Sequence, residues 1–386
     1  MPSSVLFVFG TRPEAIKLAP LILFLKRNVP ALNVRVCVTG QHRGMLDSVL
    51  GVFGIKPEHD LDVMRPAQTL QSSAARILAS LEVVLSAEKP RMVIVQGDTT
   101  STFMGALASF YSEIPVAHVE AGLRTGNLRQ PFPEEANRVL TTKIATLHFA
   151  PTAGAAENLL ADGVSRSQIS ITGNTGIDAA LFIRCQLQDG LIVCPRSFQL
   201  QPGKKLITVT THRRENIGEG VNELCRAIRI LAENPDVEII FPVHPSPGIR
   251  STVLARLHNV PSVQLCEPLD YISFINLLAL SHIVVTDSGG IQEEAPSFGK
   301  PVLVTRDSTE RPEAVEAGTV RLVGCHADRI VGEVNLLLND SREYIQRSRI
   351  HNPYGDGHAS ERIGEVILAY LSAQPLNVAV GIPVSP

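Results

Sequence analysis

The chain has 386 residues, and at about 150 residues per domain this length predicts two domains. Apolar residues make up 44% and charged residues 19%, with 28 glycines and 26 prolines spread along the chain, which excludes a wholly disordered or fibrous protein. The formal net charge of -3 gives no global attraction to nucleic acid or to an anionic membrane, so neither is expected as a partner.

Neither the amino terminus nor the cysteines indicate an exported protein. Residues 1–14 contain no basic region followed by a signal-type apolar stretch, and the longest apolar runs fall short of the roughly 20 residues of a membrane-spanning helix. Six scattered cysteines, without a close pair typical of a metal site, are Cys37, Cys185, Cys194, Cys225, Cys266 and Cys325. We therefore expect reduced thiols and a cytoplasmic protein.

The first half of the chain alternates short, β-branched apolar runs with helix-length segments. The predicted strands are 5–9, 34–39, 92–96, 115–121 and 147–150. Residues 14–27 and 70–86 repeat apolar side chains at three- and four-residue intervals, which predicts crossover helices. This alternation is typical of a parallel sheet whose strands are buried on both faces.

The same alternation restarts after about residue 170. The predicted strands there are 206–211, 238–244, 263–266, 283–287, 301–305 and 320–324. The segment 169–178 begins with a short strand and contains Gly173, Asn174 and Gly176, which tolerate bent backbone, so it is the predicted join. The sequence therefore predicts an α/β protein with two doubly wound Rossmann-like domains, followed by a helix at 359–372.

Cationic residues follow the first predicted strand, where the ligands of parallel sheets gather. Thr11 and Glu14 have the spacing of a capping box, and Pro13 suits a first helical turn. A helix beginning here would direct free N–H groups, together with Arg12 and Lys17, towards an anion such as a diphosphate. A capped helix with two surface cations is the alternative.

The second half has polar groups after its own strands. Ser288, Gly289 and Gly290 connect a predicted strand to a helix and would let a ligand approach the backbone closely, although Gly-Gly is also an ordinary turn. Glu294, about one turn further, could accept the hydroxyls of a ribose or could be a solvated helix glutamate.

Histidines end two other predicted strands. His212 comes directly after the predicted strand 206–211 and is followed by Arg213 and Arg214, and His244 is the last residue of the predicted strand 238–244. Such groups at a cleft can neutralise a diphosphate leaving group. A single histidine of this kind is, however, more often structural than catalytic.

Carboxylates occupy the strand ends of the first half. Asp98, Glu120 and the pair Glu134 and Glu135 lie in predicted loops at one edge of the sheet. There, burial and mutual repulsion can separate their pKa values and yield one acid and one base.

Two of these carboxylates have structural alternatives. Asp98 could cap a helix within residues 98–100, and Glu120 could form a salt bridge to Arg124 or Arg129. Common cofactor motifs are missing, since the sequence contains no GxGxxG after a strand and no GxxxxGK[ST], HExxH or paired CxxC. No cofactor and no metal are therefore expected.

Ten segments together carry a specific resemblance to a known family. They are FGTRPEAIKLAP, VTGQHRGMLD, QGDTTST, HVEAGLRTGN, PFPEEANR, ITGNT, THRREN, TDSGGIQEEAPSFGKPVLV, TERPEAVEAGTVRLVG and NPYGDG. From about residue 5 to residue 365 the chain resembles, in the same order and spacing, the non-hydrolysing UDP-N-acetylglucosamine 2-epimerases.

The resemblance implies a glycosyltransferase-B-like fold with the nucleotide sugar in a cleft between two domains. The amino-terminal domain is then expected at 1–172, joined by a returning helix at about 357–375. The UDP-binding domain would span 173–356, and 376–386 would be a disordered tail. Family members are usually dimeric, so a homodimer is also expected.

The implied reaction interconverts UDP-N-acetylglucosamine and UDP-N-acetylmannosamine without an added cofactor, for cell-surface polysaccharide precursors. It proceeds by anti elimination of UDP to 2-acetamidoglucal, followed by re-addition. Because the proton on carbon 2 is weakly acidic, its loss must accompany departure of a neutralised UDP, which requires both cations and carboxylates.

The resemblance also implies roles for single residues. Asp98, Glu120 and Glu134 become acid/base candidates, and Arg12, Lys17 and His212 contact the diphosphate and leaving group, with His212 counted as catalytic. The remaining UDP contacts are Phe274 near the uracil, Ser288, Gly289, Gly290, Glu294 and Arg311. A regulatory site, for UDP-N-acetylglucosamine as an allosteric activator, matches Gln41, His42, Arg43, Gln68, Glu135 and His244, with inter-domain hydrogen bonding as the alternative.

Other functions compete with this one. An epimerase for a modified sugar would differ around the first helix, and a hydrolysing epimerase usually carries a fused kinase domain, for which the chain is too short. A glycosyltransferase would leave carbon 2 untouched. A catalytically silent nucleotide-sugar sensor could discard the three acids, all of which are present.

Overall fold

The computed structural model describes residues 4–40, 43–65, 67–349 and 352–373. Its contacts divide the chain into two compact units. Unit 1 comprises the described residues up to Thr172 together with those from His358 onwards, and unit 2 is Gly173–Gly357. The predicted tail at 376–386 lies outside the described residues.

Unit 1 contains a seven-stranded parallel sheet in the order β3-β2-β1-β4-β5-β6-β7. Its strands are β1 (Ser4–Phe9), β2 (Asn33–Val38), β3 (His59–Asp60), β4 (Met92–Gln96), β5 (Val116–Val119), β6 (Leu147–Ala150) and β7 (Ile169–Ile171). The sequence prediction missed β3, because two polar residues at a sheet edge leave no apolar run to detect.

Helices connect these strands. They are α1 (Arg12–Asn28), α2 (Arg43–Val52), α3 (Leu70–Glu88), α4 (Thr100–Tyr111), α5 (Glu134–Ile144) and α6 (Ala153–Ala161), with a 3-10 turn at Arg166–Gln168. The apolar runs of the strands are buried because helices cover them; Leu6 and Val93 lie in one cluster with Ile77 and Leu81 of α3. This explains why the strands show continuous rather than alternating apolar residues.

Unit 2 contains a six-stranded parallel sheet in the order β10-β9-β8-β11-β12-β13. Its strands are β8 (Lys205–Thr210), β9 (Val237–Pro242), β10 (Val263–Cys266), β11 (Ile283–Thr286), β12 (Val302–Val304) and β13 (Val320–Leu322). All six predicted strands are confirmed, and their ends differ from the prediction by at most two residues.

The helices of unit 2 follow the same alternation. They are α7 (Thr175–Gln188), α8 (Glu219–Leu231), α9 (Pro247–Leu257), α10 (Tyr271–Leu280), α11 (Gly289–Glu294), α12 (Pro312–Glu316), α13 (Ala327–Asn339) and α14 (Ser341–Arg349). Short 3-10 turns lie at Arg214–Asn216 and Ala295–Phe298. A large apolar cluster packs α8, α9 and α13 against the sheet.

The last described helix, α15 (Ala359–Ala373), belongs to unit 1 and packs on α1. The two helices approach closely at Gly364, where a Cβ atom would lie 2.4 Å from the ring of Phe24. Arg91 donates to the carbonyl oxygen of Leu371 at 2.6 Å, and Arg362 donates to that of Thr172 at 3.0 Å. These contacts attach the carboxy-terminal helix to unit 1.

Both sheets therefore have the doubly wound, Rossmann-like arrangement, and the predicted fold class is confirmed. Strand order reverses between β1 and β4 in unit 1 and between β8 and β11 in unit 2. At such a switch point the loops after two neighbouring strands separate, and ligands bind there. Among the described helices, none combines the length and apolarity needed to cross a membrane.

A buried histidine anchors the turn that follows β4. His118 of β5 is fully buried, and its Nε2 lies 2.7 Å from the carbonyl oxygen of Gly97. Its Nδ1 has no hydrogen-bond partner among the described residues. Burial lowers the pKa of His118 to about 3, so the ring is neutral in the folded protein and Nε2 carries the donated hydrogen.

We expect His118 to make the protein sensitive to acid. An unfolded-state histidine takes up a proton below about pH 6.5 while the buried ring does not, so stability falls by up to about 1.4 kcal/mol per pH unit as the pH decreases towards 3. His118→Gln keeps an N–H donor for Gly97 and has no proton to gain. Urea unfolding followed by circular dichroism should show a weaker pH dependence for this variant, and parallel curves would contradict the assignment.

Candidate functional site

At the switch point of unit 1, a buried carboxylate joins the loops after β1 and β4. Glu14 is 1% exposed, and its Oε2 accepts from the backbone N–H groups of Gly10 at 3.1 Å and Thr11 at 2.8 Å. Its Oε1 accepts from the hydroxyls of Thr99 at 2.7 Å and Thr102 at 3.0 Å. Burial raises the pKa of Glu14, against the lowering effect of these bonds. The starts of α1 and α4 are thereby fixed to one another.

The same junction requires a glycine. A Cβ atom on Gly10 would lie 2.1 Å from Oγ1 of Thr39 and 2.3 Å from Oγ of Ser101, which are themselves 2.7 Å apart. Only a residue without a side chain lets β1 turn into α1 at this distance from α4. Arg12, the first residue of α1, is half-buried beside this junction.

Asp98 follows β4 and is held by α5. Arg138 forms an ion pair with its Oδ2, and Asn137 donates to its backbone oxygen at 2.9 Å. Burial raises the pKa of Asp98, and the positive charge of Arg138 opposes that rise. The helix-capping alternative for Asp98 is wrong, because the hydroxyl of Thr99 accepts from the N–H of Thr102 and caps α4.

Glu120 follows β5 with a left-handed backbone, at φ +62°, which is uncommon for a residue other than glycine. Its Oε2 accepts from the ammonium of Lys17 and, at 2.8 Å, from the amide of Gln96. The negative charge of Glu120 raises the pKa of Asp98, and the positive charge of Lys17 lowers it. Lys17, Asp98 and Glu120 thus form one electrostatic cluster at the strand ends.

The alternative ion pair for Glu120 is wrong. Arg124 instead pairs with Asp162 at 2.8 Å, and the structure pairs Glu120 with Lys17 rather than with Arg124 or Arg129. The sequence placed Arg124 four residues after Glu120, but the turn that follows β5 separates them.

Glu134 and Glu135 begin α5 in different surroundings. Glu134 is half-buried at the first helical position. Glu135 is 1% exposed, and its Oε1 accepts from the N–H groups of Thr125 at 2.9 Å and Gly126 at 3.1 Å. Its Oε2 lies 3.3 Å from Arg138. Glu135 therefore fixes the loop before α5, and its regulatory role stays a prediction.

At the switch point of unit 2, a second buried carboxylate joins the loops after β8 and β11. Asp287 is 0% exposed and accepts from the N–H groups of His212 and Arg213 at 3.0 Å each. The hydroxyl of Thr211 donates at 2.7 Å and the amide of Asn216 at 3.0 Å. Burial alone would raise the pKa of Asp287, but the hydrogen bonds from His212, Thr211 and Arg213 lower it to about 2.

The imidazole of His212 is oriented by this carboxylate. Its Nδ1 lies 3.0 Å from Oδ1 of Asp287, which leaves Nε2 for a ligand. The ring centroid of His244 is 6.2 Å away, and Nδ1 of His244 accepts from the N–H of Ser246 at 3.2 Å. The two predicted histidines of unit 2 are therefore neighbours, and both rings reach solvent.

The glycines after β11 lie beside Arg311. A Cβ atom on Gly289 would lie 3.2 Å from Oε1 of Glu310 and 3.5 Å from Cζ of Arg311, whereas one on Gly290 would meet open space. Nε of Arg311 donates to Oε1 of Glu293 at 2.5 Å. The structure thus brings the predicted residues Gly289 and Arg311 together.

Further arginines lie in the same region of unit 2. Glu310 accepts from Arg306 at 2.5 Å and from Arg213 at 2.6 Å. Burial opposes ionisation of Glu310, but these arginines lower its pKa to about 2. This part of the unit therefore contains several fixed ion pairs.

The remaining predicted residues are more dispersed. Phe274 on α10 and Glu294 on α11 are half-buried. Gln68 donates to the sulfur of Met64 at 2.9 Å. Gln41, His42 and the side chain of Arg43 lie outside the described residues.

Sequence reasoning missed several residues that organise these clusters. They are Gln96, Arg138, Asp287, Glu293 and Glu310. The position of Gln96 and Asp287 at the end of a predicted strand is a signal that could have identified both residues. The other three act through partners that no local spacing reveals.

Comparison with solved structures first defines the class of fold. A structure described as the glycosyltransferase of kitacinnamycin has a TM-score of 0.65 at 11% identity, over 95% of this chain and 98% of that chain. At this identity the likeness supports a shared architecture alone. A UDP-GlcNAc 2-epimerase from Neisseria meningitidis, bound to UDP-GlcNAc, has a TM-score of 0.84 at 47% identity, over 95% of this chain and 100% of that chain. A putative UDP-N-acetylglucosamine 2-epimerase from Listeria monocytogenes has a TM-score of 0.89 at 42% identity, over 97% and 98%.

Sequence comparison then defines the family. The family model described as UDP-N-acetylglucosamine 2-epimerase matches residues 25–368. The chain is 52% identical over 369 residues to the UDP-N-acetylglucosamine 2-epimerase of Escherichia coli strain K12, covering 94% of this chain and 98% of that protein. It is 47% identical over 376 residues to that of Campylobacter jejuni, covering 95% and 98%. The chain belongs to the UDP-N-acetylglucosamine 2-epimerase family and is an epimerase, which confirms the resemblance.

We expect Asp287→Asn to destabilise the protein by at least about 2 kcal/mol near pH 7, because the amide nitrogen would face buried donors. The folded-state pKa of about 2 lies below the ordinary 3.8, so the carboxylate stabilises above about pH 4 and this contribution is lost as the pH falls towards 2. Urea unfolding at several pH values measures the difference from the unmodified protein. It should be constant near neutrality and shrink below about pH 4.

Thr211→Val is the matched control for this prediction. It removes one of the donors to Asp287 and keeps the carboxylate, so a loss of about 1 kcal/mol is expected. Equal losses in the two variants would contradict a central role for Asp287.

Proposed function

We propose that the enzyme interconverts UDP-N-acetylglucosamine and UDP-N-acetylmannosamine by elimination and re-addition of UDP. The observation that carries the proposal is the cluster of Asp98 and Glu120 with Lys17 at the switch point of unit 1. Two carboxylates with cationic partners supply a proton acceptor and a proton donor beside a group that can neutralise a leaving anion.

The proposed reaction balances without an added cofactor. A base removes the proton from carbon 2 while the bond from carbon 1 to the diphosphate oxygen breaks, and the electron pair leaves with UDP. The product is 2-acetamidoglucal, with a double bond between carbons 1 and 2. In the return step the UDP oxygen attacks carbon 1, and an acid delivers a proton to the opposite face of carbon 2.

The acid/base candidates differ in how they are held. Asp98 is half-buried and has an arginine partner, and burial raises its pKa, which suits a group that accepts and returns a proton. Glu120 is held by Lys17 and Gln96, and Glu134 is half-buried at the start of α5. We propose all three as acid/base residues and leave the face on which each acts unassigned.

Cations of both units support the departure of UDP in this proposal. Arg12 and Lys17 of unit 1, and His212 of unit 2, would neutralise the diphosphate. The proposed UDP contacts in unit 2 are Phe274, Ser288, Gly289, Gly290, Glu294 and Arg311. What supports them is the proximity of Gly289 to Arg311 and the orientation of His212 by Asp287.

Four further expectations stay proposals. They are a homodimer, a cytoplasmic location, a role in supplying precursors of cell-surface polysaccharide, and allosteric activation by UDP-N-acetylglucosamine at the predicted regulatory residues. The nearness of His212 and His244 supports the last of these, because a ligand at His244 would lie beside the proposed leaving-group contact.

We expect Asp98→Asn to lower kcat at least about 100-fold, since an amide cannot exchange the proton, and to change UDP affinity less than about threefold. NMR of the turnover tests the expected fall in kcat, and calorimetry of UDP binding tests the expected small change in UDP affinity. Asp162→Asn is the matched control, because Asp162 also pairs with an arginine of unit 1. Full activity of Asp98→Asn would remove Asp98 from the mechanism.

The proposed reaction predicts solvent exchange at carbon 2. We expect proton NMR of UDP-N-acetylglucosamine in deuterium oxide, with no added nucleotide cofactor or metal, to show the manno epimer carrying deuterium at carbon 2. Epimer without deuterium would contradict exchange of the abstracted proton with solvent. No epimer and no exchange, with UDP still bound, would favour a modified-sugar substrate.

A further inference from the structure

The chain passes between the two units twice, after Thr172 and after Gly357. We call residues 173–177 the first crossing segment and residues 352–357 the second crossing segment; both lie in unit 2. The segments are joined, because the N–H of Asn174 donates to the carbonyl oxygen of Tyr354 at 2.6 Å. Asn174 also caps the start of α7, where its Oδ1 accepts from the N–H of Gly176 at 2.8 Å.

One buried carboxylate connects both crossing segments to Arg311. Glu293 is 6% exposed; its Oε1 accepts from Nε of Arg311 and its Oε2 accepts from the side-chain amide of Asn174 at 2.6 Å. Its backbone oxygen accepts from the side-chain amide of Asn352 at 2.7 Å. A displacement of Glu293 would therefore change its contacts with the guanidinium of Arg311 and with both crossing segments.

A second link runs in parallel. The hydroxyl of Tyr354 donates to Oε2 of Glu313 at 3.0 Å, and Glu313 lies in α12, two residues after Arg311. The second crossing segment thus holds the chain on the carboxy-terminal side of Arg311, while Glu293 holds its side chain.

We propose that Glu293 is a positioning residue that orients Arg311 for UDP and couples UDP binding to the two crossing segments. This inference rests on the proposed function, in which Arg311 contacts UDP. Arginine recognises phosphate through paired hydrogen bonds of fixed direction, so the contact that holds Nε of Arg311 on Glu293 also sets the direction in which the guanidinium meets an oxyanion. Fixing the side chain beforehand lowers the ordering cost of binding.

The coupling is reciprocal, so a change at Asn174 must alter UDP affinity if UDP binding acts on the crossing segments. Asn174→Asp keeps the oxygen that caps α7 and turns a second carboxylate towards Glu293. Glu293→Gln keeps an acceptor for Arg311 and turns an amide nitrogen towards the amide of Asn174. Each single change opposes like groups across a buried contact of 2.6 Å.

The double variant restores complementarity. With Asn174→Asp and Glu293→Gln together, the new amide at 293 donates to the new carboxylate at 174, and its oxygen still accepts from Arg311. We expect each single variant to raise KM for UDP-N-acetylglucosamine and Kd for UDP about tenfold, with kcat changed less than about threefold. The double variant should return both constants to within about threefold of the unmodified enzyme.

The matched control is Asn234→Asp, which adds the same charge to an exposed turn of unit 2. If the single variants lower the melting temperature but leave KM and Kd unchanged, Glu293 is merely structural and the proposal fails. A double variant as weak as the single ones also overturns it. Should the single variants not fold, Tyr354→Phe tests the parallel link, with Kd for UDP expected to rise about threefold and an unchanged Kd contradicting the coupling.

Arg311→Ala separates this proposal from the proposed function. If it binds UDP as the unmodified enzyme does, the assignment of Arg311 to UDP is wrong, and the coupling fails with it. If it loses UDP affinity while Asn174→Asp and Glu293→Gln retain theirs, Arg311 contacts UDP and only the positioning role of Glu293 is overturned.

Discussion

A fully buried carboxylate at each switch point holds together the loops on which the site depends. Glu14 receives donors from the loops after β1 and β4, and Asp287 receives donors from the loop after β8 while standing directly after β11. Each carboxylate accepts hydrogen bonds from several buried N–H and hydroxyl groups. Loss of the carboxylate would therefore leave several buried donors without an acceptor. In both units a buried carboxylate thus joins the loops at the switch point, although the two acids lie at unrelated sequence positions, Glu14 on a helix and Asp287 at a strand end.

The charged groups around these carboxylates are already paired. Lys17 with Glu120, Arg138 with Asp98, and Arg311 with Glu293 are partly buried ion pairs. In the proposed reaction the diphosphate would share these cations with carboxylates, which would limit its ground-state affinity. Such sharing favours a ligand whose negative charge grows during reaction, as on the oxygen of a departing UDP.

Sequence patterns predicted the sheets because strands buried on both faces leave long apolar runs. They indicated Asp98 and Glu120 as candidate site residues because ligands of parallel sheets gather at strand ends. They could not predict the pairing of Lys17 with Glu120, since those residues are 103 positions apart. The link from Asn174 to Glu293 spans 119 positions for the same reason. Which strand-end groups meet is set by strand order, and β1 becomes the neighbour of β4 only in the folded sheet.

The return of α15 to unit 1 has a consequence for the order of folding during synthesis. Unit 2 is continuous in sequence and leaves the ribosome complete, whereas α1 keeps an uncovered face until residues 359–373 have been made. The part that is translated first is therefore finished last. During that interval the nascent chain exposes the apolar surface around Phe24, which makes unit 1 the part of the enzyme that chaperones would protect.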